Sequence, residues 1–164
     1  MKKIDTKRIA IYGMVAAIYV AVTYACGSLA FMGFQFRISE ALILLCFYKK
    51  DYIIPLTVGC FLANLNPSSP MLAWDLTAGV FATLLSAYLI SKSKNIIIAS
   101  LFPVIINAIV VGFGLYKFVG LPLILSMVQV AFGEFVCVSI VGVVLFKSLD
   151  KNKGFMKLIK FGKE

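Results

Sequence analysis

Between Lys94 and Lys117 the chain carries no charged residue, and between Lys117 and Lys147 it carries one, Glu134. Runs of this kind demand a bilayer, since a spanning helix needs about 20 apolar residues and lipid offers nothing to solvate a charge. Across the chain 62% of residues are hydrophobic and 14% charged, against roughly 45–50% and about 25% in soluble domains. The 164 residues allow six or seven spans of about 20 residues joined by short loops, with no room for a separate soluble domain. An all-α integral membrane protein of the cell membrane, folded as one unit over residues 1–164, is the expected class.

Several chemistries drop out. Without histidine the chain has no imidazole general base, no HExxH zinc site and no imidazole haem ligand. Gly162-Lys163 is the one Gly-Lys pair and lacks the upstream glycine of a phosphate-cradling loop, so ATP cannot be bound by that route. Cys26, Cys46, Cys60 and Cys137 fall in four apolar stretches without a CxxC, which reads as buried inert thiols. Much enzyme chemistry goes with these losses, no cofactor or metal site is expected, and if the chain moves a solute against a gradient the energy comes from elsewhere.

Charge-free stretches place six helices at about 9–29, 38–48, 52–64, 71–90, 96–116 and 121–146, followed by a basic tail at 147–164. The stretch after Lys2, Lys3, Lys7 and Arg8 reads as a first span, not a cleavable leader. An even number of spans puts both termini on one side. Of the 16 basic residues, 14 fall on that side and only Arg37 and Lys117 on the other, which assigns both termini to the cytoplasm because cytoplasmic loops retain lysine and arginine. The net charge of +9 then reflects topology, not affinity for nucleic acid. The tail alternates Lys151, Lys153, Lys157 and Lys160 with Phe155, Met156, Leu158 and Ile159; it reads either as a solvated segment or as an amphipathic one on the anionic inner leaflet.

The second and third spans are too short. At 1.5 Å per residue they reach about 16 and 20 Å against a hydrocarbon core of about 30 Å. Both begin at Lys49 to Asp51, so they end below the outer surface, where irregular backbone is tolerated only around a cavity. An outward-open pocket follows, with residues 30–36 as its lid. Gln35, Arg37, Glu40, Asn64, Asp75, Asn107 and Glu134 all fall at that level. An intramembrane charge costs at least about 2.5–3.5 kcal/mol, so Arg37, Glu40, Asp75 and Glu134 together point to a site. Individually, Arg37 and Glu40 could pair as structural glue, Asn64 could cap a helix, and Asp75 could be a solvated first turn. Three carboxylates against one arginine favour a cationic or donor-rich solute, and Trp74 beside Asp75 offers a face for a planar ring. In the first helix Gly13, Ala17, Ala21 and Ala25 recur every four residues, a smooth stripe that lets another helix, within the chain or in a second subunit, approach closely.

Gln35-Phe36-Arg37-Ile38-Ser39-Glu40-Ala41-Leu42, Gly59-Cys60-Phe61-Leu62-Ala63-Asn64-Leu65, Asp75 with Gly79 and Ala82-Thr83-Leu84-Leu85, and Gly133-Glu134 together make the chain resemble the queuosine-precursor transporter family, substrate-binding (S) components of energy-coupling factor (ECF) transporters. The resemblance implies a six-helix S component that captures a 7-deazaguanine base such as preQ1 or queuine. It also implies a transmembrane T subunit, contacted through the small residues of helix one, and two cytoplasmic ATPases. In that reading Glu40 or Glu134 accepts the ring N–H and exocyclic amine, Gln35, Arg37 or Asn107 donates to the carbonyl, and Asp75 pairs with an aminomethyl cation. Two rivals stand beside it: a stand-alone proton-coupled carrier using Glu40, Asp75 and Glu134 as relay, and an S component for another vitamin.

Overall fold

The computed structural model describes residues 6–30, 35–67 and 69–160. Among them every regular element is helical. Helix α1 is Thr6–Ala25, α2 Ile38–Tyr48, α3 Ile53–Ala63, α4 Leu72–Lys92, α5 Ile96–Val119, α6 Leu123–Asp150 and α7 Lys153–Ile159. By length and composition α1, α4, α5 and α6 can cross a membrane, whereas α2 and α3 are shorter. Residues 31–34, the middle of the expected lid, lie outside the described residues.

Local chemistry sets the helix ends. The first helix stops at Ala25, short of the expected 29, because Gly27 turns the backbone at φ +54° into a short 3-10 turn, Gly27–Ala30. Asn95 starts α5 by accepting the Ile97 amide at 2.9 Å, a side-chain N-cap. Gly120, at φ +79°, ends that helix, and Pro122 stands immediately before α6, the usual order of stop and restart.

Polarity is inverted relative to a soluble protein. Ile54, Ile124, Val144 and Met14 face outward, while Thr23, Ser39, Glu40, Asn64, Thr83, Ser100, Asn107 and Glu134 are buried, as expected when the surroundings are lipid. Helix α5 is central, with half of its spanning window buried, and α1 is peripheral, with 11% buried. Helices α5 and α6 approach closely at Gly112, where an added Cβ would lie 2.9 Å from the backbone Cα of Met127.

One end of the bundle gathers the start of α1, the α2–α3 turn and the C-terminal segment. Tyr12 meets Tyr52 edge to face with ring centroids 5.8 Å apart, Tyr52 donates to the Ile159 carbonyl at 3.1 Å, and the Lys160 ammonium sits 5.6 Å from the Tyr48 ring centre. The tail is thus folded back on the bundle through Phe155, Met156 and the buried Ile159 and is not a free solvated segment, while Leu158 stays exposed. Its apolar residues recur at i, i+1 and i+4, which makes one face of α7, and that face finds the core.

Candidate functional site

At the opposite end the chain enters α2 through a strained turn. Gln35 adopts φ +46°, the one non-glycine positive φ among the described residues, and the Arg37 amide donates to the Gln35 carbonyl at 2.8 Å. A non-glycine residue in this region costs of order 1–3 kcal/mol and persists where surroundings enforce it. The turn carries both Gln35 and Arg37 inward, to 5% and 8% exposure.

From there a hydrogen-bonded chain links three helices. Arg37 Nη2 donates to Asn64 Oδ1 at 2.9 Å, and Asn64 Nδ2 donates to the Asp75 carbonyl at 3.1 Å. Asn64 is the residue closing α3, yet its side chain joins α2 to α4. Asp75 Oδ2 accepts from Ser69 at 2.7 Å. Arg37 and Glu40 do not pair with each other among the described residues. Glu40 Oε1 accepts from the Tyr19 hydroxyl of α1, and one turn on, Thr23 and Ser39 share a hydrogen bond of 2.6 Å. Across the site, Asn107 of α5 donates to Glu134 Oε1 of α6 at 2.7 Å. Arg37 interacts electrostatically with Glu40, Glu134 and Asp75, so these hydrogen-bonded groups form one cluster.

Arg37, Glu40 and Glu134 are each tied at one atom and open at another. Among the described residues four buried side-chain nitrogen or oxygen atoms have no hydrogen-bond partner: Arg37 Nε, Glu40 Oε2, Glu134 Oε2 and Ser86 Oγ. Three of the four therefore belong to this cluster, on side chains no more than 8% exposed. A buried polar atom left unsatisfied costs about 1–3 kcal/mol, and more when charged. Two acceptor oxygens and one N–H held in this way suit a ligand with at least two donors and an acceptor.

The helices are irregular where these groups sit. Glu40 lies in a 3-10 segment, Ile38–Leu44; Asp75 opens a π-helical stretch, Asp75–Gly79; and Glu134 immediately precedes another, Phe135–Gly142. Such windings inside helices recur at functional sites.

Trp74 lies apart from the cluster atoms. Its indole Nε1 donates to the Val110 carbonyl at 2.9 Å, and its ring packs on Phe113 and Phe118 with centroids 5.6 and 5.8 Å away. Gly114 makes room for it, since a Cβ there would come within 2.5 Å of Trp74 Cδ1. Gly13, Ala17, Ala21 and Ala25 all face outward on α1, about 150° round from the buried face bearing Ala16, Tyr19 and Thr23. Tyr19, Thr23 and Ser39 escaped the sequence reading. Their signal is the i, i+4 spacing of Tyr19 and Thr23 in α1, which places two hydroxyls on one face.

Comparison with known proteins extends the geometry. The queuosine precursor transporter QueT of Lactococcus lactis subsp. cremoris (strain MG1363) is 41% identical over 66 residues, which cover 39% of this chain and 39% of that protein. The aligned part thus spans well under half of that relative. No solved structure matches the chain. The model of the QueT transporter family matches residues 9–151, from the first turn of α1 through the end of α6. The chain belongs to the QueT transporter family and is a multi-pass protein of the cell membrane.

Proposed function

We propose that this chain is the substrate-binding S component of an ECF-type importer, capturing a queuosine precursor, a 7-deazaguanine base such as preQ1 or queuine, outside the cell. Transport then requires a T subunit and two cytoplasmic ATPases. The six-helix bundle α1 to α6 sits in the bilayer with both termini in the cytoplasm and the short α2 and α3 ending below the outer surface, so the Arg37, Glu40 and Glu134 cluster faces outward. The observation that carries the reading is the set of open buried atoms, Arg37 Nε, Glu40 Oε2 and Glu134 Oε2. A deazaguanine offers ring N–H and amine donors and a carbonyl acceptor, the complement of two carboxylate oxygens and one guanidinium N–H. Three carboxylates against one arginine also leave room for an aminomethyl cation, which Asp75, bound by Ser69 at one oxygen, can pair with. The exposed stripe Gly13, Ala17, Ala21 and Ala25 supplies a smooth face for the T subunit.

The purified protein should bind the aminomethyl 7-deazaguanine base with micromolar or tighter affinity in the absence of ATP. Glu40→Gln, Asp75→Asn and Glu134→Gln should each weaken binding in calorimetric titration. Wild-type affinity in all three sinks the site assignment. The proton-coupled carrier draws support from the same open carboxylates, and reconstitution separates it: a carrier moves the base alone in liposomes under a pH gradient, whereas an S component is inert without its ATPases. Competition with thiamine and riboflavin tests the other-vitamin reading.

A further inference from the structure

We propose that Tyr19 is a positioning residue of this site: by donating to Glu40 Oε1 it fixes the carboxylate so that Oε2 alone meets the ligand. The inference rests on the reading that Glu40 contacts the base, and it assigns a role in recognition to a helix that otherwise faces lipid or a partner. Helix α1 buries only Ala16, Tyr19 and Thr23, and the Tyr19 side chain is wholly enclosed. The ring has little freedom. A Cβ on Gly59 would come within 3.0 Å of Tyr19 Cβ and 3.2 Å of the Ala16 carbonyl, so α3 closes directly over it. One turn further, the 2.6 Å bond between Thr23 and Ser39 fastens α1 to α2 at the residue next to Glu40. The hydroxyl is therefore held by packing on one side and by a neighbouring bond on the other.

A carboxylate with two free oxygens turns about its last bond, because terminal sp³–sp² torsions are broad. Anchoring one oxygen removes that freedom and presents the other in one place, which lowers the ordering cost on binding. Asn107 does the same for Glu134 from α5. The ligand thus meets two single, separately anchored acceptors, one on α2 and one on α6, each set by a neutral donor on a different helix.

The test is calorimetric titration of the aminomethyl 7-deazaguanine base into the purified full chain as wild type, Tyr19→Phe, Glu40→Gln, the double variant and Tyr12→Phe, with melting temperatures alongside. Tyr19→Phe keeps the ring and its core contacts, and should weaken binding about tenfold, the loss of one hydrogen bond to a charged group. The double variant should bind no more weakly than Glu40→Gln alone, because the hydroxyl acts only through that carboxylate. Tyr12→Phe removes the hydrogen bond that α1 makes to Asp51 at the far end of the bundle and should keep wild-type affinity. Tyr19→Phe at wild-type affinity, multiplying penalties in the double variant, or an equal loss in Tyr12→Phe each overturns the proposal. If Glu40→Gln loses binding and Tyr19→Phe does not, only the role of Tyr19 fails; if Glu40→Gln binds as wild type, the site reading fails and this inference with it.

Discussion

At the end where α2 turns into α3, Tyr12 donates to Asp51 at 3.2 Å, Lys49 pairs with Asp51 at 3.5 Å, and Tyr52 and Tyr48 donate to the carbonyls of Ile159 and Phe146 at 3.1 and 3.3 Å. At the other end Arg37, Glu40 and Glu134 each keep a buried atom without a partner. Both ends belong to one apolar bundle, so the contrast does not come from a general shortage of donors. The polar groups at the α2–α3 end are closed off by the chain itself, and on the function proposed above the open atoms of the cluster are those a ligand would complete. Among the described residues Ser86 Oγ is the one buried unpartnered atom away from the cluster, a neutral hydroxyl for which no role is evident.

Substitutions at the two ends should separate along the same line. The largest effect is expected from Glu134→Gln, which should weaken deazaguanine binding about a hundredfold while leaving the melting temperature of the ligand-free protein unchanged or higher, since it removes a buried charge with an open oxygen. A lowered melting temperature would make Glu134 a structural residue. Next, Ile159→Ala should destabilise the protein by about 2 kcal/mol by emptying a core position, with no change in affinity. Smallest, Tyr52→Phe should cost about 1 kcal/mol by removing one hydrogen bond, again with unchanged binding. Thermal melts paired with titrations check both, and a loss of affinity in either would erase the distinction between the ends.

The sequence displayed one half of this contrast more clearly than the other. Arg37, Glu40, Asp75 and Glu134 stand out because a charge within an apolar run is rare and expensive, and Asn64 and Asn107 because they share that depth. Their partners do not stand out. Tyr19 in a membrane helix looks like an interface anchor until the packing shows which face turns inward, and periodicity does not supply that when α1 is apolar nearly all round. The indole of Trp74 points into a second apolar cluster with Met71, Val111, Leu115 and Val130, a matter of rotamer and of space at Gly114. The 3-10 and π windings arise from packing between helices, which no local pattern encodes. The docking of α7 was hidden by its lysines, which signal topology so strongly that the apolar face between them passes for lipid contact.

The open oxygens of Glu40 and Glu134 also bear on how long each molecule lasts. Any ligand that binds only the folded state stabilises it by mass action, by about 2.7 kcal/mol at a concentration 100 times its Kd. Contacts of a bound base with the open oxygens are part of that binding energy, so on the proposed function an unoccupied receptor would open more often than an occupied one. Degradation draws on the opened population. Scarcity of the solute would then shorten the lifetime of its own receptor, and abundance in the membrane would follow supply without any change in gene expression.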